Sequence, residues 1–314
     1  MDALRLKYPI HTPDRQLLLP AGAVLSTETL EDLISSNKAV SYQTFPLIKY
    51  GTVGNDLLRQ MKRSPYDTIF SGERHIEEVM AMIEKVQMVM PVLRSLDFFK
   101  KEDYHTYCHC LMVFALSALI ARDLVSDYRD WVDGVSAGPT HDIGKICIPP
   151  HILKKAGPLT KDEKTFIDHH TVAGYVLLSF FHKDMNNLAA IVARDHHERR
   201  DGSGVPRGIH LSDRMVEILV VCDVYDALIS PRPYRPVSYD NRTALEEITS
   251  MAEKNKIGWD VVQSLIAHNR RTKPKCGEAK VSTEIRGTPP AQNFYGVVDD
   301  ADRSKPKQKR YGKS

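Results

Sequence analysis

The longest apolar run in the chain is LMVFALSALIA, residues 111–121. It stops at Arg122 and Asp123 and is too short to span a bilayer, which takes about 20 residues. A run of this length fits a helix buried in a protein core. The surrounding segments share its helical spacing. HIEEVMAMIEKVQMVMPVLRSL (75–96) and CLMVFALSALIARDLV (110–125) place apolar residues three and four apart. KDEKTFIDHHTVAGYVLLSFF (161–181) follows Pro158 and Thr160, a suitable helix start. DMNNLAAIVARDHHE and RMVEILVVCDVYDALIS are further helical candidates, and no sustained strand-like alternation stands out in this region. The reading is an all-helical domain over 71–272.

The flanks differ. In residues 1–70, LRLKYPI and QLLLPAG suggest short strands, STETLEDLISSN a helix with a capping start, and VSYQTFPLIKYG a return to strand composition. A small α+β N-terminal module is expected. Residues 273–314 are rich in Pro, Gly, Ser and charge with little to bury, which predicts a disordered basic tail. Phe294 and Tyr295 would be the anchors if it docked on a signalling partner.

The opening MDALRLKYPIHTPDRQ has no apolar stretch of the kind a secretory signal carries. The five cysteines (108, 110, 147, 222, 276) are odd in number and scattered, which predicts free thiols in a reducing cytoplasm. The net charge of +3 owes much to six Lys/Arg in 303–314, so the rest of the chain is slightly acidic. DNA is therefore not an expected partner, and no membrane span is expected.

Nine of the thirteen histidines fall between 105 and 197. Among them are His109, the pair His141–Asp142, His170 and the pair His196–His197, with Asp223 beyond. A lone histidine is ordinarily a core or surface residue. Contiguous pairs on otherwise apolar helices point instead to ligands for Fe, Mn, Ni or Zn, which accept imidazole and carboxylate.

The order His … His-Asp … Asp resembles the signature of the HD superfamily of metal-dependent phosphohydrolases. Four blocks narrow it: THDIGKICIPPHILKKAGPLTKDE (140–163), HHTVAG (169–174), HHERRDGSGVPRG (196–208) and DVYDALISPRPYR (223–235). Together they are similar to the HD-GYP family of cyclic di-GMP phosphodiesterases, over roughly residues 100–270. The resemblance implies a mainly α helical bundle of the HD type. It implies metal ligands at His109, His141, Asp142, His170, His196, His197 and Asp223. Two divalent ions are expected, iron first, with manganese or another divalent metal as alternatives; two metals activate a water for attack at phosphorus. Asp142 would bridge the two, turned about 100° from His141 on a helix. Lys145, three residues on, would share its face and meet a phosphate. Arg232 and Arg235 sit in the proline-stiffened SPRPYRP and are candidates to clamp phosphate or guanine.

Two departures bear on activity. Gly204-Val205-Pro206 stands where the family has Gly-Tyr-Pro, which keeps the backbone chemistry and loses a phenol. His105 stands four residues before His109, where members that hold three metals have Glu, so two metals are expected. His169 is read as an exposed neighbour of His170. Three functions follow. The first is hydrolysis of cyclic di-GMP to pGpG and GMP. The second is a weakly active or inactive domain that binds cyclic di-GMP or a signalling protein. The third is a phosphohydrolase acting on another nucleotide.

Overall fold

The computed structural model describes residues 4–232, 235 and 237–291. Phe294, Tyr295 and the basic run 303–314 lie outside them. Four short strands open the chain: β1 (Leu4–Arg5), β2 (Ile10–His11), β3 (Leu17–Leu19) and β4 (Val24–Leu25). β1 pairs antiparallel with β4, and β2 with β3. α1 (Thr27–Ser36) follows, capped by Ser26, whose hydroxyl accepts from the Thr29 N–H. Next come β5 (Thr44–Pro46) and α2 (Val53–Met61).

The segment 75–96, read as helical in spacing, is three elements: α3 (Glu73–Ile83), β6 (Gln87–Val89) and α4 (Met90–Glu102). Pro91 explains the second break. It lacks an N–H and has a fixed φ, so it belongs in a first helical turn, and the chain before it is pushed to extended geometry. Gln87–Val89 uses that geometry to pair antiparallel with Thr44–Pro46. This pair joins the N-terminal segment to the helical region, and one hydrophobic cluster runs from Leu6 to Ile266.

The apolar run lies in α5 (Tyr104–Leu124), buried almost continuously from Thr106 to Ala121. By length and composition α5 passes as a membrane span, but 78% of that window is buried inside the fold, as in a core helix. Around it stand α6 (Tyr128–Val135), α7 (Pro150–Leu153), α8 (Lys161–Asp168), α9 (His170–His182), α10 (Leu188–Asp195), α11 (Arg214–Ile229), α12 (Asn241–Glu253) and α13 (Trp259–Asn269). α11 packs along α5, and α9 packs on α10 and on the turn that follows Asp142. α8 starts at a full capping box formed by Thr160 and Glu163.

Candidate metal centre

Five parts of the fold deliver the expected ligands to one place. His109 projects from α5, His170 opens α9, His196 and His197 follow the last turn of α10, and Asp223 sits midway along α11. His141 and Asp142 are not on an α-helix as expected. They lie between two 3₁₀ turns, Gly138–Thr140 and Ile143–Cys147. Pro139 stands in the first turn and Gly144 in the second. Residues three apart eclipse in such a turn, so Lys145 falls directly over Asp142, its Nζ 2.5 Å from Oδ2.

The side chains form two groups. Ligand atoms of His109, His141 and Asp223 lie within 4.8 Å of one another, as do those of His170, His196 and His197. Asp142 stands between them. Its Oδ2 is 3.5 Å from His141 Nε2 and 3.7 Å from His109 Nε2. Its Oδ1 is 3.3 Å from His170 Nε2 and 3.9 Å from His196 Nε2. One carboxylate therefore offers an oxygen to each group. Asp223 ties them a second time, with Oδ1 3.0 Å from His109 Nε2 and Oδ2 4.0 Å from His197 Nδ1.

For three of the rings a backbone carbonyl on the far side fixes the orientation. His141 Nδ1 sits 2.7 Å from the Gly138 carbonyl, His170 Nδ1 2.6 Å from that of Ile167, and His196 Nδ1 3.0 Å from that of Ala193. A ring that donates from Nδ1 carries its lone pair on Nε2, the atom that faces inward. Burial reinforces this by disfavouring the charged ring. It depresses His141 to about 4 and His170 to about 3, and lowers His196 and His197 as well. His109 differs. Burial and Arg232 oppose its protonation, but Asp226 and Asp223 prevail and raise its pKa. Burial also works against ionising Asp142 and Asp223. The Lys145 charge and neighbouring rings hold Asp142 well below the usual carboxylate range, and His109 does the same for Asp223.

Inward-facing ring nitrogens come very close: His109 Nε2 to His141 Nε2 is 3.2 Å, and His170 Nε2 to His196 Nε2 is 3.2 Å. With both Nδ1 atoms on backbone carbonyls, the facing Nε2 atoms of His170 and His196 are two acceptors, and such a pair calls for positive charge between them. Neutral imidazoles around ionised carboxylates suit a borderline divalent cation. The donor set fits a metal in each group.

A cavity of about 360 Å³ opens onto the centre. Lys145, Lys155, Lys164 and Arg232 bring cations to it, and Ile152, Leu153, Leu159 and Ile167 an apolar wall. His105 is exposed at its lining, unlike buried His109. Arg232 also reaches Asp226, Nη2 to Oδ2 3.5 Å. Arg235 is not among the lining residues. It is 1% exposed, its guanidinium meets the carbonyls of Ala227 and Ser230 at the end of α11, and it lies over the Tyr239 ring. His169 is not exposed as expected. Its ring packs edge-on to Tyr8, centroids 5.6 Å apart, and burial lowers it to about 4.

Gly204 and Val205 line an adjoining pocket with Lys164, Asp168, His197, Arg199 and Lys256. A Cβ at Gly204 would come within 2.5 Å of the His197 carbonyl, so only glycine lets the loop lie against the ligand-bearing chain. The Val205 N–H then donates to that carbonyl at 3.1 Å. Fully buried Glu198 finishes the anchoring, accepting from the N–H groups of Arg207 (2.7 Å) and Ile209 (3.1 Å). The Val205 side chain is 43% exposed and takes no part in this. Sequence reasoning missed Glu198, although it directly follows the histidine pair.

It also missed Asp226. This fully buried carboxylate accepts from His109 Nδ1 at 2.6 Å, from Ser230 at 3.1 Å and from Tyr66. Its signal was present: Asp226 follows Asp223 by one helical turn and so shares its face.

Gly144 sets the distance between the two groups. A Cβ there would stand 1.9 Å from the His170 carbonyl and 2.5 Å from the Gly174 nitrogen, both backbone atoms. Gly144→Ala is expected to force the turn off α9, at a cost of about 1–3 kcal/mol. Metal should then be lost from the His170 group first. Urea unfolding and metal content of the purified variant check this; unchanged values for both would refute the close crossing.

The family model described as "HD domain" matches residues 87–261. A cyclic di-GMP phosphodiesterase of Thermotoga maritima is 34% identical over 204 residues, 64% of this chain and 53% of that protein. One of Pseudomonas aeruginosa is 38% identical over 167 residues, covering 52% and 39%. The chain thus spans about half the length, or less, of these curated relatives. Among solved structures, the HDG"Y"P protein Bd1817 from Bdellovibrio bacteriovorus aligns at a TM-score of 0.46 and 14% identity, covering 83% of this chain and 94% of that one.

Proposed function

The chain belongs to the HD domain family, and from that premise we propose that it is a metal-dependent phosphodiesterase that opens cyclic di-GMP to pGpG and on to GMP. The observation that carries the proposal is Asp142, whose two oxygens face two separate groups of ligands. The names of the relatives supply the substrate class. His109, His141 and Asp223 would hold one divalent ion and His170, His196 and His197 the other, with Asp142 shared. Iron is our first assignment and manganese the second. Two ions so placed supply Lewis acidity and an activated water to an in-line displacement at phosphorus.

The protein's own groups do the rest. Nδ1 anchoring would keep Nε2 of His109, His141, His170 and His196 on target through turnover without side-chain reorganisation. Lys145 offsets the charge of Asp142 from the cavity side and offers a non-bridging phosphate oxygen a point charge. Arg232 presents a second cation to the same cavity, while Arg235 braces the end of α11. The apolar side chains of that lining give a base a face to lie on.

The test is anaerobic purification, reloading with Fe(II) or Mn(II), and comparison of cyclic di-GMP with a mixed guanine–adenine cyclic dinucleotide and with cyclic mononucleotides. Preferred cleavage of cyclic di-GMP supports the proposal. Preferred cleavage of a mononucleotide would replace it with another HD phosphohydrolase activity.

Val205 favours one competing reading, a receptor that binds cyclic di-GMP without efficient hydrolysis. Main-chain bonds and Glu198 hold the loop, so the missing phenol is a lost substrate contact and not a lost fold. A hydrogen bond to a charged group is worth about 1.5–3 kcal/mol. If that contact limited turnover, Val205→Tyr would raise kcat/KM by more than about tenfold. A smaller change is expected for a working enzyme, and steady-state kinetics of the variant decide between the two.

A further inference from the structure

We infer that Tyr66, which lies outside the segment matching the family, is a positioning residue for the first half of the metal centre. The inference rests on the metal assignment above. Tyr66 precedes α3, in the N-terminal part of the chain, yet its ring is 5% exposed and its hydroxyl reaches Asp226 on α11. The same oxygen lies 2.7 Å from Ser230 Oγ. Burial, with Asp226 beside it, raises the phenol pKa well above normal and keeps it a neutral donor.

The contact continues inward. Tyr66 donates to Asp226 Oδ1, whereas His109, Ser230 and Arg232 gather at Oδ2. A carboxylate held at one oxygen by a rigid phenol has its plane fixed. Its other oxygen can then orient the His109 ring through Nδ1 at 2.6 Å. That ring in turn aims Nε2 at Asp223, 3.0 Å away, and at His141, 3.2 Å away. The chain Tyr66–Asp226–His109 thus runs from the N-terminal part of the protein to a ligand atom. A ligand histidine is commonly tuned by a carboxylate behind it, and losing such support costs 10–100-fold in metal affinity or activity. Here the carboxylate is itself set by a residue that no histidine or aspartate pattern would identify. Among the described residues the other group shows no matching chain: His170 and His196 lean on backbone carbonyls, as His141 does within the first group. On the side of the other group, the N-terminal residue Tyr8 stacks on Phe166 at 3.7 Å and meets His169, not a ligand in our assignment.

The test compares Tyr66→Phe with the wild type and with Leu30→Val, a buried substitution on α1. Phenylalanine keeps the ring and removes only the donor. Stepwise Mn(II) affinity is measured by competition with a chelator, and the melting temperature of the metal-free protein in parallel. Tyr66→Phe is expected to weaken one of the two binding steps about tenfold and leave the other unchanged. Leu30→Val should lower the melting temperature and leave both steps alone. Equal affinities in Tyr66→Phe and wild type, or equal weakening of both steps in step with a lower melting temperature, would overturn the inference. A wild-type protein that binds no metal would instead defeat the metal assignment itself.

Discussion

Asp142→Ala is expected to lose metal from both groups and to reduce turnover of cyclic di-GMP on the order of 10³-fold or more. Removing a single group that stabilises transition-state charge already costs 10²–10³, and this one serves both groups at once. The Asp142 oxygens are 3.3 to 3.9 Å from four ligand histidines, two on either side. Asp223 also spans the two groups, but within 4.0 Å it meets three of the histidines, His109, His141 and His197. Loss of Asp142 also strands the Lys145 ammonium against a ring of imidazoles, with Nζ no longer 2.5 Å from a carboxylate. Asp142→Asn separates shape from charge, since it keeps the volume and one carbonyl oxygen. It should retain part of the metal in one group and still lose turnover. Metal analysis and a product assay on both variants check this. Full activity in Asp142→Ala would remove the basis of the account.

The second large effect belongs to Asp226, which is no ligand. Asp226→Ala leaves His109 without its Nδ1 acceptor and takes a buried anion from beside Arg232. Breaking a buried pair by deleting one partner costs about 3–5 kcal/mol, so a fall of that size in unfolding free energy is expected. Asp226→Asn keeps the shape but offers His109 a weaker acceptor. It should stay folded and bind metal 10–100-fold more weakly. Denaturant unfolding and chelator competition separate the two effects. If Asp226→Asn matched the wild type in affinity, His109 would not depend on what stands behind it.

Much of the site was legible before the fold was known, because metal chemistry restricts residue types and leaves contiguous pairs in the chain. The seven expected ligands come from five separate parts of the fold and still converge. The supporting residues were harder to see. Glu198 reads as an ordinary charged residue in a loop, and only the structure shows it buried and holding two backbone N–H groups. Tyr66 lies 160 positions from Asp226, a contact no local pattern encodes. Arg235 misled for the opposite reason, since arginine in a loop near a phosphate site looks like a clamp until its guanidinium is found on the carbonyls of α11.

The fold shows the same division. The apolar run in α5 and the helical periods around it fixed the class. The strand at Gln87–Val89 escaped because three residues carry too little alternation to register, and its partner lies 43 positions earlier, at Thr44–Pro46. The 3₁₀ geometry around Asp142 escaped because Gly144 gives no sign, within the sequence, of the backbone it must pass.

The most direct test of the central claim is to titrate Mn(II) into metal-free protein under anaerobic conditions, following bound metal and cyclic di-GMP cleavage together. The account predicts two ions bound per chain, with cleavage appearing as the second binds. Full cleavage at one ion per chain, or in the metal-free protein, would contradict it.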